Sequence, residues 1–172
     1  MLTHADIARL LPHGHPLVLV DRVAALEPGE SIAGLKAVST SELCYAHMTP
    51  GLPPERWAYP TSLQIESFAQ CAAILWFETA RIREVLDDQA LIALAVRRCR
   101  FHAAAYPGDV MRHEARIDTI VHDHLFVRGE TFVEDRCIAS VGQMVAAIGS
   151  RRTLRDAGGT AQTTSESEAS HG

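Results

Sequence analysis

From Thr61 onward the hydrophobic pattern changes period. Apolar side chains at Leu63, Phe68, Ala69, Ala72, Ala73, Leu75, Trp76, Phe77 and Ala80 fill more than half of a helical circumference, and charge returns only toward Glu78, Arg81, Arg83 and Glu84. The pattern predicts one helix of about 24 residues and ~36 Å. A helix that apolar has to be surrounded by other elements. Pro60 breaks what precedes it, and the spacing Thr61-x-x-Gln64 fits a capping box at its start. Upstream, residues 3–11 read as a short amphipathic helix that Thr3 can cap and Pro12 ends. His13 to Pro16 is a turn, residues 17–20 are a short apolar strand, and 23–26 continue the extended run. Glu27-Pro28-Gly29-Glu30 places Pro and Gly as a type II turn wants them, with 31–40 as the returning strand. Downstream, 91–96 and 99–104 form one long strand candidate, Tyr106-Pro107-Gly108-Asp109 a turn, and 110–121, 125–133 and 137–148 three more strands. The last two meet at a tight hairpin, Glu134-Asp135-Arg136. The predicted class is α+β, a long buried helix followed by an antiparallel meander of three or four strands.

After Gly149 the chain turns to Arg, Gly, Thr, Ser and Glu, so one domain over 1–149 and a disordered tail over 150–172 are expected. A length of 172 residues suits a single core. With 47% hydrophobic and 22% charged residues the chain reads as a soluble globular protein. A net charge of −5 gives a nucleic-acid partner no electrostatic support. No run approaches the ~18 apolar residues of a membrane span, and no basic segment followed by an apolar core opens the chain, so no membrane partner and a cytoplasmic location are expected. Cys44, Cys71, Cys99 and Cys137 lack any C-x-x-C pair, which removes zinc-ribbon and thioredoxin readings and leaves reduced structural thiols. His13-x-His15 and His122-Asp123-His124 lack a third ligand, so they read as solvated turn residues and no metal is expected.

The chemistry concentrates between Tyr45 and Gln70. His47 lies in a loop broken by Pro and Gly, and Glu66 falls early in the long helix beside Leu63, Ile65, Phe68 and Ala69. A glutamate is rarely buried without a reason. A carboxylic acid among apolar neighbours is kept in its proton-donating form, and a neutral imidazole beside it completes a base and acid pair. Backbone amides at the helix start, near Thr61 and Ser62, could stabilise an oxyanion developing close by.

Several motifs together carry a family resemblance. I-x-x-L-L-P-H-x-x-P-x-x-L-V-D-R-V (Ile7 to Val23), A-H-M (Ala46 to Met48), Y-P-T-S-L-Q-I-E-S-F-A-Q (Tyr59 to Gln70) and Y-P-G-D (Tyr106 to Asp109) occur in order over about 145 residues. As a set they resemble the bacterial β-hydroxyacyl-acyl carrier protein dehydratases. The resemblance implies a hotdog fold, in which a curved antiparallel sheet wraps a long helix. It implies dehydration of a 3-hydroxyacyl thioester, held on acyl carrier protein through phosphopantetheine, to the trans-2-enoyl thioester, with no cofactor. It further implies a homodimer, or a hexamer of such dimers, whose sites each pair the His of one subunit with the acid of the other. Residue by residue, His47 is then the base and Glu66 its acidic partner. Gln70 orients, and Thr61 with Ser62 offers backbone N–H groups to the thioester carbonyl. Glu66 rather than Asp resembles the branch that dehydrates without isomerising.

The chain departs from that pattern at Ala46 and Met48, which replace Gly and Phe, and at Thr61, which replaces Gly. His47 and Glu66 also stand 19 positions apart, about five more than the family's usual spacing. These changes point to a specialised acyl chain of polyketide or polyene type rather than housekeeping fatty-acid synthesis. Trp57 and Arg56 in the longer loop either lid the tunnel or pack it. Arg97, Arg98 and Arg100 suggest a basic rim for an acidic carrier, against solvated strand-face arginines. A hotdog thioesterase and a non-catalytic acyl-binding subunit are the alternative functions.

Overall fold

The computed structural model describes residues 1–83 and 89–150; the tail expected over 150–172 lies outside them except for Ser150. In chain order the elements are α1 (His4–Leu10), β1 (Arg22–Glu27), β2 (Ser31–Ala37), α2 (Thr61–Ile82), β3 (Gln89–Phe101), β4 (Val110–Val121), β5 (His124–Val133) and β6 (Arg136–Ser150). Two single 3-10 turns, Leu43–Tyr45 and Pro54–Trp57, interrupt the connection between β2 and α2. The strands form one antiparallel sheet in the order β1-β2-β4-β5-β6-β3, and α2 packs on it with α1 alongside. This is the long helix in a sheet that the resemblance implies. No helix among the described residues is long and apolar enough to cross a membrane.

Local chemistry accounts for most of the boundaries. Thr3 caps α1, its N–H and hydroxyl both donating to Asp6. The two predicted turns form where glycine supplies a positive φ: Gly29 at 86° with Glu30 N–H bonded to Glu27 C=O, and Gly108 at 102° with Asp109 N–H bonded to Tyr106 C=O. The start of α2 differs from the expected capping box. Pro60 is the cap residue, and its carbonyl takes the amides of both Leu63 and Gln64. Thr61 makes no side-chain cap bond, because it is already the first helical residue, and the Gln64 side chain reaches Tyr59 C=O instead.

One strand expectation is corrected. Residues 17–20 form no strand, and a helix side chain takes two of their backbone groups: Leu19 N–H donates to Gln70 Oε1 (2.8 Å) and Gln70 Nε2 donates to Leu17 C=O (2.7 Å). The meander expected with three or four strands has three, β4-β5-β6. β3 does not neighbour β4, whose two sides are held by β2 and β5; it lies beyond β6 at the edge of the sheet.

The core is what the inward side of the sheet and most of α2 bury together, including Ile7, Val23, Ile32, Phe68, Ile74 and Leu75. At Gly34 on β2 a Cβ would stand 2.3 Å from Cys71 Sγ, so glycine is what lets the helix approach this closely. Burial pushes the Cys71 thiol up to about 12. A second cluster, with Val38, Tyr45, Tyr59, Met111 and Ile138, ties the long loop to the other end of the sheet. Trp57 packs into it with its ring 5.8 Å from that of Tyr45, whose hydroxyl donates to Trp57 C=O. Lys36 and Glu42 form a largely buried ion pair at 2.9 Å, and Glu42 also accepts from the Tyr59 hydroxyl.

One buried polar group gives the fold a pH dependence. His113 is fully buried, with Nε2 2.8 Å from Ser67 Oγ and Nδ1 2.8 Å from Thr131 Oγ1. The Ser67 hydroxyl donates to Gln64 C=O, so His113 carries its proton on Nε2 and accepts from Thr131. Burial, with the charge of Lys36 adding to it, lowers the imidazole from 6.5 to about 3. The unfolded chain therefore takes up this proton first as pH falls. The stability His113 contributes is complete above about 6.5 and is lost as pH drops toward about 3. Urea midpoints at about pH 7.5 and about pH 4.5 are expected to lie further apart in the wild type than in His113→Gln.

Candidate active site

Glu66 stands on the second turn of α2, and its carboxylate meets two nitrogens of its own chain. Gln70 Nε2 donates to Glu66 Oε1 at 2.9 Å, and His13 Nε2 lies 3.3 Å from the same oxygen. The carboxylate side chain is 41% exposed in the single chain and His13 33%. The apolar neighbours expected to enclose Glu66 do so only partly, for a helical reason. Residues adjacent in sequence point about 100° away, whereas those sharing a face are three and four positions distant, here Ser62, Leu63, Ala69 and Gln70.

Gln70 is what organises this corner. It is buried, and its amide is saturated by Leu17 C=O, Leu19 N–H and Glu66. One helix side chain thus fixes both the carboxylate and the 13–20 segment that carries His13. Gln70→Leu leaves the Leu17 and Leu19 backbone groups without partners, and a stability loss of about 3 kcal/mol is expected in urea unfolding.

Below the pair lies a cavity of about 250 Å³, lined by Ala69, Ala72 and Ala73 of α2, Leu91, Ile92 and Ala93 of β3, and Leu125, Val127, Met144 and Ala146 of β5 and β6. His13, Glu66 and Gln70 are its polar members. A carboxylate and two nitrogens at the polar end of an apolar slot can hold a chain and exchange one proton near its head.

The structure brings Glu66 and Gln70 together but places His47 elsewhere. His47 is exposed, in the turn after Leu43–Tyr45, between buried Tyr45 and half-buried Met48. Among the described residues, the imidazole within ion-pairing distance of Glu66 is that of His13. His13 was expected to be a solvated turn residue. It is a partner of Glu66 instead, because Gln70 draws its segment down onto the helix. No local period links positions 53 apart, and the signal that could have marked it was its place in the L-L-P-H motif. Thr61 and Ser62 are exposed on the first turn of α2. With Leu63 and Gln64 amides bonded to Pro60, theirs are the helix-start N–H groups left facing outward.

Of the two readings of the strand arginines, the structure shows where two of them lie relative to the cavity. Arg98 and Arg100 do not line the Glu66 cavity. With Arg116, Arg128, Glu114 and Glu130 they border a separate depression of about 620 Å³ on the polar face of the sheet. There Arg98, at a φ of 53°, lies over Gly142. Among the described residues no three metal-binding side chains converge.

Comparison with solved structures defines the class. The dehydratase heterocomplex ApeI:P from Xenorhabdus doucetiae matches with a TM-score of 0.70 at 19% identity, covering 88% of this chain and 95% of that one. The fluoroacetyl-CoA thioesterase FlK matches at 0.61 and 14% identity, covering 81% and 98%. At such identities the likeness is one of fold, and the protein is a hotdog protein. The family follows from sequence. A FabA-like domain matches residues 11–142, and this chain belongs to that family. A 3-hydroxyacyl-acyl-carrier-protein dehydratase FabZ from a Nitratiruptor species is 32% identical over 85% of this chain and 93% of its own length. Its counterpart from Campylobacter fetus is 29% identical over 81% and 93%.

Proposed function

We propose that this protein removes water from a 3-hydroxyacyl thioester carried on acyl carrier protein, giving the trans-2-enoyl thioester. The observation that carries the reading is a single carboxyl, Glu66, held at the polar end of an otherwise apolar slot in a FabA-like chain. Glu66 gives its proton to the departing 3-hydroxyl, and His47 takes the proton from the α-carbon. The Thr61 and Ser62 amides, at the positive end of α2, receive the charge that builds on the thioester oxygen.

His47 reaches Glu66 from a second copy of the chain. β3 ends the sheet as a long edge strand with Ile92, Leu94 and Phe101 exposed, whereas the opposite edge, β1, is short and bridged by Leu2. An unpaired edge that exposes apolar side chains along its first half calls for a partner, and antiparallel pairing of two β3 strands supplies one. Leu91, Ile92 and Ala93 of this strand also wall the cavity, so the copy that covers the edge completes the site. The replacements Ala46, Met48 and Thr61 and the longer loop packed by Trp57 favour a specialised acyl chain, in a cytoplasmic pathway of polyketide type.

The test is mass spectrometry of carrier-bound 3-hydroxyacyl chains of graded length after incubation with the purified protein. Loss of water with the thioester intact is expected. Release of free acid would make the protein a thioesterase, and unchanged substrate at every length would leave an acyl-binding subunit.

A further inference from the structure

Both nitrogens that meet Glu66 converge on one of its two oxygens. Gln70 Nε2 donates to Oε1 at 2.9 Å and His13 Nε2 stands 3.3 Å from that same atom. Gln70 has no freedom to turn its amide round, since Leu19 N–H already occupies its oxygen and Leu17 C=O its second hydrogen. His13 Nδ1 is buried with no partner among the described residues, so Nε2 is the nitrogen through which the ring acts. We infer that His13 is a positioning residue for dehydration: its Nε2–H and the Gln70 amide together occupy Oε1, so that Glu66 carries its acidic proton on Oε2 and aims it at the substrate. This rests on Glu66 being the acid proposed above.

The chemistry follows from how a carboxyl accepts. An oxygen that receives two N–H donors is the carbonyl-like one, and the proton sits on the other. Without His13 the group keeps one donor, can rotate, and can present the wrong oxygen to the leaving hydroxyl. Misorientation of a reacting group costs rate more than binding. In the turnover itself the Oε2–H bond breaks and the proton joins the departing hydroxyl oxygen as the C–O bond breaks, so water leaves and Glu66 remains a carboxylate. Oε1 keeps both donors throughout.

His13 and Glu66 are the titratable side chains of the cavity. The walls from α2, β3, β5 and β6 are apolar there apart from Gln70, and the remaining charge-bearing group is His47 of the second copy.

The experiment compares His13→Ala, His13→Gln and Glu66→Gln with the wild-type dimer on a 3-hydroxyacyl carrier substrate. For His13→Ala, kcat is expected to fall roughly 10- to 100-fold with KM changed less than about threefold. For His13→Gln, whose amide can restore an N–H toward Oε1, most of the lost kcat should return while KM stays close to wild type. A His13→Ala enzyme with wild-type kcat overturns the inference. So does a His13→Gln enzyme no better than His13→Ala, which would make the imidazole itself, rather than its N–H, the requirement. If His13→Ala fails to fold, His13→Leu, which also lacks an N–H, takes its place in both comparisons. Wild-type turnover in Glu66→Gln would instead remove the dehydratase reading beneath it, so the two failures are told apart.

Discussion

Glu66→Gln is expected to lower kcat for dehydration roughly 100- to 10,000-fold, and His47→Ala to do the same. The glutamine is the sharper of the two tests. It has the volume of the acid and keeps a carbonyl oxygen that can accept from Gln70 and His13, so the corner of the site that Gln70 organises should stay in place. What it lacks is a transferable proton. If the acyl chain lies in the slot, whose apolar lining the substitution leaves intact, KM should move little and the loss should appear in kcat. For His47 the side chain is exposed in the single chain, so alanine there should leave folding unchanged. Single-turnover dehydration with enzyme in excess, together with a thermal melt of each variant, separates chemistry from stability. Rates near wild type in either folded variant would reject the base and acid pair.

The helix and the long strands were legible because each has a period that sequence displays. Residues 61–82 repeat on a helical face, and 110–121 alternate along a strand, with Met111, His113 and Ala115 buried. The turns at Gly29 and Gly108 were legible because few residues other than glycine take a positive φ cheaply. What stayed hidden depends on which surface meets which. The 17–20 segment has the composition of a strand, yet two of its backbone groups bond to the side chain of Gln70, more than 50 positions away. The edge position of β3 is decided by which neighbours β4 already has, and composition does not register that. Within the site, the motif exposed Glu66 and Gln70 because they lie one helical turn apart. His13 escaped because only the fold closes the distance. His113 escaped because one polar residue among inward apolar positions looks like an error in the alternation. It is a satisfied hydrogen-bond partner of Ser67 and Thr131.

Mixing two dead variants is expected to restore activity. If His47 of one protomer serves Glu66 of the other, a His47→Ala homodimer has two sites without base, and a Glu66→Gln homodimer has two without acid. Unfolding the two together in equal amounts and refolding gives, for random pairing, half of the dimers as mixed pairs. In each mixed dimer one site joins the intact His47 to the intact Glu66, and the other collects both substitutions. Roughly one quarter of the wild-type activity should therefore return, although each parent alone has lost it. The recovery should follow dimer exchange: slow on simple mixing of folded dimers, complete after refolding, and absent at any ratio if both residues of a working site come from the same chain. The proposal that a second copy supplies His47 rests on the single chain. Glu66 is met there by His13 and Gln70 while His47 lies exposed in the loop between Tyr45 and Met48. The strand that walls the cavity is also the open edge of the sheet. If that edge pairs with a second copy that brings His47 to the cavity, the mixed dimer measures the pairing directly.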